Sequence, residues 1–267
     1  MKTLITTLAL CFVFAGLAQV PQPQQIGSSN SNSTGTPVPN VPNVSIASSD
    51  CLMGNCVDGL GKKQFSDHTI YGVYKNGVAN GYGMQIYTSG TYEGNFENGF
   101  RNGYGLYKWN ESGDLYHGTW KDGRQHGYGY VTNDSEITQA GYYENGKLIT
   151  NMITDYKNNV RSGKCRGNCV NGFGAYTWDN GDYFEGFFVN SQMQHVGYYG
   201  YPDGGSYLGA YDNGKRNGFG FFRFSNKDLH MGLWKNGNQH GTAVYKYEDS
   251  GDAKAGIWED GKYKSGL

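Results

Sequence analysis

The chain is poor in what most soluble domains rely on. After residue 50 a single proline, Pro202, remains, and charged residues make up 17% of the 267. Basic residues number 22 against 23 acidic ones, with no run of either sign. Without a cluster of Lys and Arg there is little counterion release to drive nucleic-acid binding, so that class is excluded, and anionic lipid is a poor ligand for the same reason. No apolar run beyond residue 18 approaches the roughly 18 residues of a membrane-spanning helix. Helical periodicity is absent throughout. What the chain has instead is 43 glycines, 23 tyrosines, 13 phenylalanines and 5 tryptophans, a composition that suits a thin structure better than a thick two-layer core.

The first residues predict export. Lys2 precedes an apolar run from Leu4 to Phe14, and Gly16-Leu17-Ala18 offers the small residues of a cleavage site. Residues 1–18 are therefore read as a signal peptide cleaved after Ala18, and the protein as secreted, periplasmic or in the cell envelope. Cys11 lies inside the apolar run after Leu10, which argues against a lipoprotein. Residues 19–50 hold five of the six prolines among Ser, Asn, Gln and Thr, with no aromatic and one charge, Asp50. Such a segment buries too little apolar surface to offset its ordering entropy and reads as a disordered linker. Asn32 and Asn43 stand in N-x-S/T sequons. The mature chain would carry 21 basic and 23 acidic residues, a net charge of −2.

Beyond the linker the chain repeats itself. The stretch YEGNFENGFRNGYGLYKW, residues 92–109, is one copy of a pattern in which aromatic-x-Gly-x-aromatic is followed by a polar turn and Gly-x-Gly-x-aromatic. The first glycine recurs as Gly72, Gly94, Gly118 and Gly141, then as Gly186, Gly209, Gly232 and Gly256, at steps of 22 to 24 residues within each group. Two residues beyond each stands Tyr74, Phe96, Trp120, Tyr143, Phe188, Tyr211, Trp234 or Trp258, all aromatic. GNCVDGLG at 54–61 matches GNCVNGFG at 167–174, so the chain consists of two related blocks, 51–146 and 165–267, around an insertion at 147–164.

These residues resemble the MORN repeat, whose usual form is Y-x-G-x-W/F-x-x-G-x-x-x-G-x-G-x-Y. YEGNFENGFRNGYGLY, YHGTWKDGRQHGYGYV and YLGAYDNGKRNGFGFF match it closely; Ile70, His195 and Ala243 depart from it. The resemblance implies one β-hairpin per repeat, stacked into an elongated sheet, in proteins used as scaffolds and as membrane-contact modules. The residues independently support an all-β fold, an elongated single-layer twisted antiparallel sheet. Alternation puts Tyr92, Gly94 and Phe96 on one face, and Gly103, Gly105, Tyr107 and Trp109 likewise. Asn98-Gly99 between them is a hairpin turn. Strand glycines would leave room for rings from the neighbouring strand, making the eight aromatics above a structural ladder. Each block opens and closes on a lone strand. Joining these predicts one continuous sheet of about sixteen strands, with a hinge at the insertion as the alternative.

The chemistry is sparse. The glycines beside Arg101 fit neither dinucleotide nor phosphate-loop spacing and recur in every unit, so architecture explains them. Cys51, Cys56, Cys165 and Cys169 could ligate zinc between the blocks; in an exported chain the local disulfides Cys51–Cys56 and Cys165–Cys169 are the preferred reading. His126 and His240 occupy equivalent turns, while His117 and His230 lie on strands beside the ladder. Glu93, Glu144, Glu185 and Glu259 recur beside repeat positions and should be solvated. No catalytic constellation, metal site or cofactor is expected. Tyr82, Tyr104, Tyr128 and Phe219, on the face opposite the glycines, are the candidate binding surface; otherwise they simply cover a sheet without a second layer.

Function is thus expected to be a non-enzymatic exported scaffold for a protein partner or cell-envelope component. A carbohydrate- or envelope-binding module using exposed aromatic rows is the alternative, and a secreted hydrolase a third reading. Membrane contact beyond export is not expected. Open sheet edges suggest an end-to-end homodimer, although Lys262 and Lys264 discourage pairing.

Overall fold

The computed structural model describes residues 50–267 except 135, 158–160 and 163. The expected signal peptide, and the linker up to residue 49, lie outside the described residues. Twenty-one strands form two antiparallel sheets, β1 to β10 over residues 50–151 and β11 to β21 over residues 161–266. In both, every strand pairs with its neighbours in sequence, so each sheet is a stack of consecutive hairpins. One short helix, α1 (Thr154–Lys157), lies between them.

Two local devices build each hairpin. The turns carry Asn or Asp and then Gly in the left-handed region, as at Asn98 (φ 51°) and Gly99 (φ 83°), the backbone a tight hairpin requires. Away from the turn the register slips by two residues, between Gly94↔Gly105 and Phe96↔Arg101 in the pairing of β5 (Gly90–Glu97) with β6 (Phe100–Trp109). Equivalent slips follow Gly72, Gly118, Gly186, Gly209 and Gly232. Such bulges strengthen the twist and return the next side chains to the required face.

The sheets differ from a single continuous ribbon. The lone strand β9 (Glu136–Glu144) does not reach across to β13 (Gly172–Thr177). Instead, β9 pairs with β10 (Lys147–Asn151) and β13 with β12 (Cys165–Gly167). The chain then folds back at the insertion. β4 (Val78–Tyr87) faces β19 (Asn238–Lys246), β6 faces β17 (Lys215–Arg223), and β8 (Arg124–Asn133) faces β15 (Gln192–Gly200). The two layers therefore run in opposite order, face to face. The physical reason lies in the residues between the glycines. Tyr82, Tyr104, Leu106 and Tyr130 of the first sheet and Phe187, Leu208, Phe219 and Phe221 of the second are large and apolar, and they form one shared core. A sheet with an apolar face needs a second layer, and here it is the other block. Ile153 and Tyr156, from the insertion, pack on that core, with Tyr156 against Phe173 at 5.4 Å.

Candidate functional site

Three aromatic clusters organise the molecule: the core between the sheets and one ladder on the outer face of each. All eight ladder residues, Tyr74, Phe96, Trp120, Tyr143, Phe188, Tyr211, Trp234 and Trp258, are buried. Glycines make this possible without a covering layer. A Cβ on Gly94 would lie 2.6 Å from the Tyr92 hydroxyl, and one on Gly105 would lie 2.5 Å from the Tyr92 ring. The ring that fills the space thus comes from the same strand as Gly94 and from the strand beside Gly105. Tyr116 over Gly118 and Gly129, Phe184 over Gly186 and Gly197, and Tyr207 over Gly209 and Gly220 repeat the arrangement. The second aromatic stands edge-on to the first, Tyr92 to Phe96 at 5.2 Å and Tyr207 to Tyr211 at 5.2 Å. Trp120 ties neighbouring hairpins by donating its indole N–H to the Gly105 carbonyl at 3.2 Å.

The candidate surface of Tyr82, Tyr104, Tyr128 and Phe219 is not on the surface. Tyr82 and Tyr104 are 1% exposed and Phe219 3%, because their face is the one the second sheet covers. Tyr82 lies parallel to Phe219 at 6.4 Å, and Tyr104 meets Phe221 edge-on at 6.1 Å. Tyr128, half-buried, stacks on His195 at 3.6 Å. His195 occupies a bulge position where other repeats have glycine and keeps the left-handed backbone, φ 63°.

Polar groups follow the same division. Glu144 and Glu259 are exposed as expected, but Glu93 and Glu185 are buried, since their strand position points between the sheets. Glu93 accepts a hydrogen bond from the Tyr82 hydroxyl at 2.8 Å, and burial pushes its carboxyl up to about 7 against the pull of that bond and of Lys246. Glu185 accepts one from Tyr156, whose hydroxyl also receives one from Arg166 at 3.3 Å. On the outer face Arg101 is 1% exposed, with its guanidinium 5.2 to 5.3 Å from the rings of Tyr87, Tyr92, Tyr107 and Trp120, and its Nε donates to Gln85 at 2.8 Å. Burial holds His117 and His230 neutral, with pKa values lowered to about 3; for His230 the nearby Arg216 adds to the effect. Glu93, Glu185 and His117 lie between the layers, whereas Arg101 and His230 brace the outer ladders, His230 against Trp234 and Trp258. Sequence reasoning missed Glu93, Glu185 and Arg101 because period-two alternation reveals a face and not what covers it.

The MORN repeat family model matches residues 71–91, 92–113, 116–132, 171–183, 207–229 and 230–251, spread over both sheets. This chain is a MORN repeat protein. MORN repeats are in general protein- or membrane-binding modules and non-catalytic scaffolds. No curated protein matches the chain. Five of the six matched spans each take in most of one hairpin, whereas 171–183 covers β13 and little more, and the unmatched 133–170 contains the turn from one sheet to the other.

Outside the MORN units, each sheet carries a disulfide near its first edge. Cys51 is bonded to Cys56 and Cys165 to Cys169, with Cα atoms 5.9 and 6.1 Å apart. The first turns β1 (Asp50–Gly54) back onto β2 (Gly59–Gln64); the second does the same for β12 and β13. Among the described residues no group of three or more His, Cys, Asp or Glu could hold a metal, and no helix is long and apolar enough to cross a membrane.

Proposed function

We propose that this MORN protein is an exported, non-enzymatic scaffold that presents the outer faces and open edges of its sandwich to a protein partner or a cell-envelope component. The observation that carries the reading is the pair of disulfides at equivalent places in the two blocks. Disulfides persist in oxidising compartments, and the sequence before residue 19 has the order of a secretory signal. The mature chain would then start at Gln19. Catalysis is not part of this reading, because Glu93, Glu185 and His117 serve the interface between layers and His230 packs against Trp234 and Trp258 in the outer ladder.

The faces available to a partner are those away from the inter-sheet core. The terminal strand β21 (Lys262–Gly266) is exposed along its length and leaves one edge open, which supports end-to-end pairing of two copies. Fractionation of the native host with N-terminal sequencing, followed by cross-linking and pull-down from the envelope fraction, tests the proposal. A mature chain starting at Gln19 with a reproducible cross-linked partner supports it. An intact Met1 in a reducing cytoplasm overturns it.

A further inference from the structure

The two blocks differ in one respect that their common fold does not require. In the second block, the residues two beyond the last glycine of each unit, or beyond Ala243, are Tyr176, Tyr199, Phe222 and Tyr245; those four beyond are Trp178, Tyr201, Phe224 and Tyr247. All eight positions are aromatic. The first block has Lys63, Gln85 and Val131 among the inner positions and Asn133 among the outer ones. In the structure the eight rings form an unbroken zigzag on the outer face of the second sheet. Trp178 meets Tyr199 at 5.6 Å and Tyr201 meets Phe222 at 5.9 Å, while Phe224 meets Tyr245 at 5.6 Å. Within each strand the two rings are 4.7 to 5.0 Å apart. Unlike the ladder beneath, these rings are only half-buried, and Tyr247 is 42% exposed. A long row of partly exposed rings on a molecule with a complete core is unusual unless it meets something.

Carboxylates punctuate the row. Asp182 closes the loop that follows Trp178, and Asp228 the loop that follows Phe224, through backbone bonds from the Trp178 N–H to the Asp182 carbonyl and from the Phe224 N–H to the Asp228 carbonyl at 2.9 Å each. Both are held alike at Oδ2, while Asp228 Oδ1 also accepts the Glu248 N–H at 2.9 Å. Tyr199 and Asn180 donate to Asp182 Oδ2 at 2.8 Å each, and Tyr245 and Asn226 donate to Asp228 Oδ2 at 2.9 and 3.0 Å. In the unit between them Tyr is replaced by Phe222, and Gly205 stands where the aspartate would be, so the pair is kept or lost together.

We propose that this ridge binds an extended neutral or amino-bearing polysaccharide laid across the strands, with sugar faces on Trp178, Tyr201, Phe224 and Tyr247 and sugar hydroxyls donating to Asp182 and Asp228. Three features select that chemistry. Successive units recur every two strands, about 10 Å, which is commensurate with two linked pyranose rings, whereas an extended peptide repeats its same-face side chains every ~7 Å. A polyproline helix, at ~9.3 Å per turn, shares the spacing. Its carbonyls, however, call for donors, and here the hydroxyls of Tyr199 and Tyr245 are already given to carboxylates. The carboxylates of Asp182 and Asp228 are acceptors set beside the rings, suited to a ligand rich in O–H groups. Finally, the loops 178–182, 201–205, 224–228 and 247–252 carry seven acids and one base, Lys227, which disfavours uronates and sulfated or phosphorylated chains.

The test uses the full mature chain with its disulfides. Affinity electrophoresis and calorimetry would be run with cellohexaose, N-acetylchitohexaose, mannohexaose and chitosan hexamer, with polygalacturonate as the anionic probe and a synthetic peptide of residues 37–43 as the polyproline probe. At least one of the first four is expected to bind, with polygalacturonate inert. Phe224→Ala and Trp178→Ala should each weaken binding at least tenfold, and Phe65→Ala in the first block should leave it unchanged. Tyr247→Ala, at an exposed ring, serves if the others lower the melting temperature. Failure of all four sugars, binding indifferent to these substitutions, or binding of the peptide or polygalacturonate instead would overturn the proposal. None of those results would bear on export or on a protein partner at the sheet edges.

Discussion

The ring of Tyr92 fills the space that a side chain on Gly105 would need, and its hydroxyl donates to the Asn95 carbonyl at 2.7 Å. Tyr92 is fully buried, boxed by Phe96 and Trp120, so it cannot swing away. Gly105→Ala should therefore destabilise by about 2 kcal/mol, since overpacking outweighs the smaller entropic gain of losing a glycine. Urea denaturation measures it; a variant as stable as the parent would show that the ring does not lie over the glycine.

Asn190-Ser191 departs from the Asn-Gly turns. Asn190 has φ 50° and Ser191 φ 62°, where Asn76, Asn98, Asn145, Asn213 and Asn236 are each followed by glycine. A left-handed serine costs about 1 kcal/mol that glycine avoids. Ser191→Gly should raise stability by roughly that amount, read as a higher urea midpoint with an unchanged slope.

His230 replaces the tyrosine that overlies the glycine pair, and Ala243 replaces the second glycine of that pair. The smaller ring and the added methyl are matched. His230→Tyr alone should clash with Ala243 and destabilise by 1–3 kcal/mol. Combined with Ala243→Gly it should recover most of that loss, a coupling measurable by a double-mutant cycle. Additive effects would mean that the two positions are independent.

Burial keeps the proton on Glu93 up to about pH 7, whereas the unfolded chain releases it near 4.5. Its contribution is therefore full below about pH 4.5 and lost as pH rises through 7, a change of roughly 3 kcal/mol. Glu93→Gln mimics the protonated form, so its stability relative to the parent should climb between pH 4.5 and 8. His117 and His230 act with the opposite sign, their neutral forms supporting the fold above pH 6.5 and failing as pH falls toward 3. A parent-minus-variant difference that stays flat from pH 4.5 to 8 would place Glu93 in water.

The hairpins, their turns and the ladder were legible in the sequence because each rests on contacts within 25 residues: Asn-Gly for a left-handed turn, Gly opposite Gly for a ring. The pairing of layers was not. Tyr104 and Glu93 occupy alternating positions that would look the same beneath solvent, a partner or a second sheet, and only the fold-back at the insertion decides among these. The aromatic ridge was legible in principle, as all eight second-block positions are aromatic, but strict repetition drew attention to the residues the blocks share instead of those that differ.

The central claim is that the two blocks form one sandwich with Tyr104 and Phe221 packed across its middle. A denaturation double-mutant cycle with Tyr104→Leu and Phe221→Leu tests it most directly. The account predicts that each single change costs more than 1 kcal/mol and that the pair is coupled by about 0.5–1.5 kcal/mol. Near-neutral single changes that add without coupling would contradict it, leaving Tyr104 on an open face.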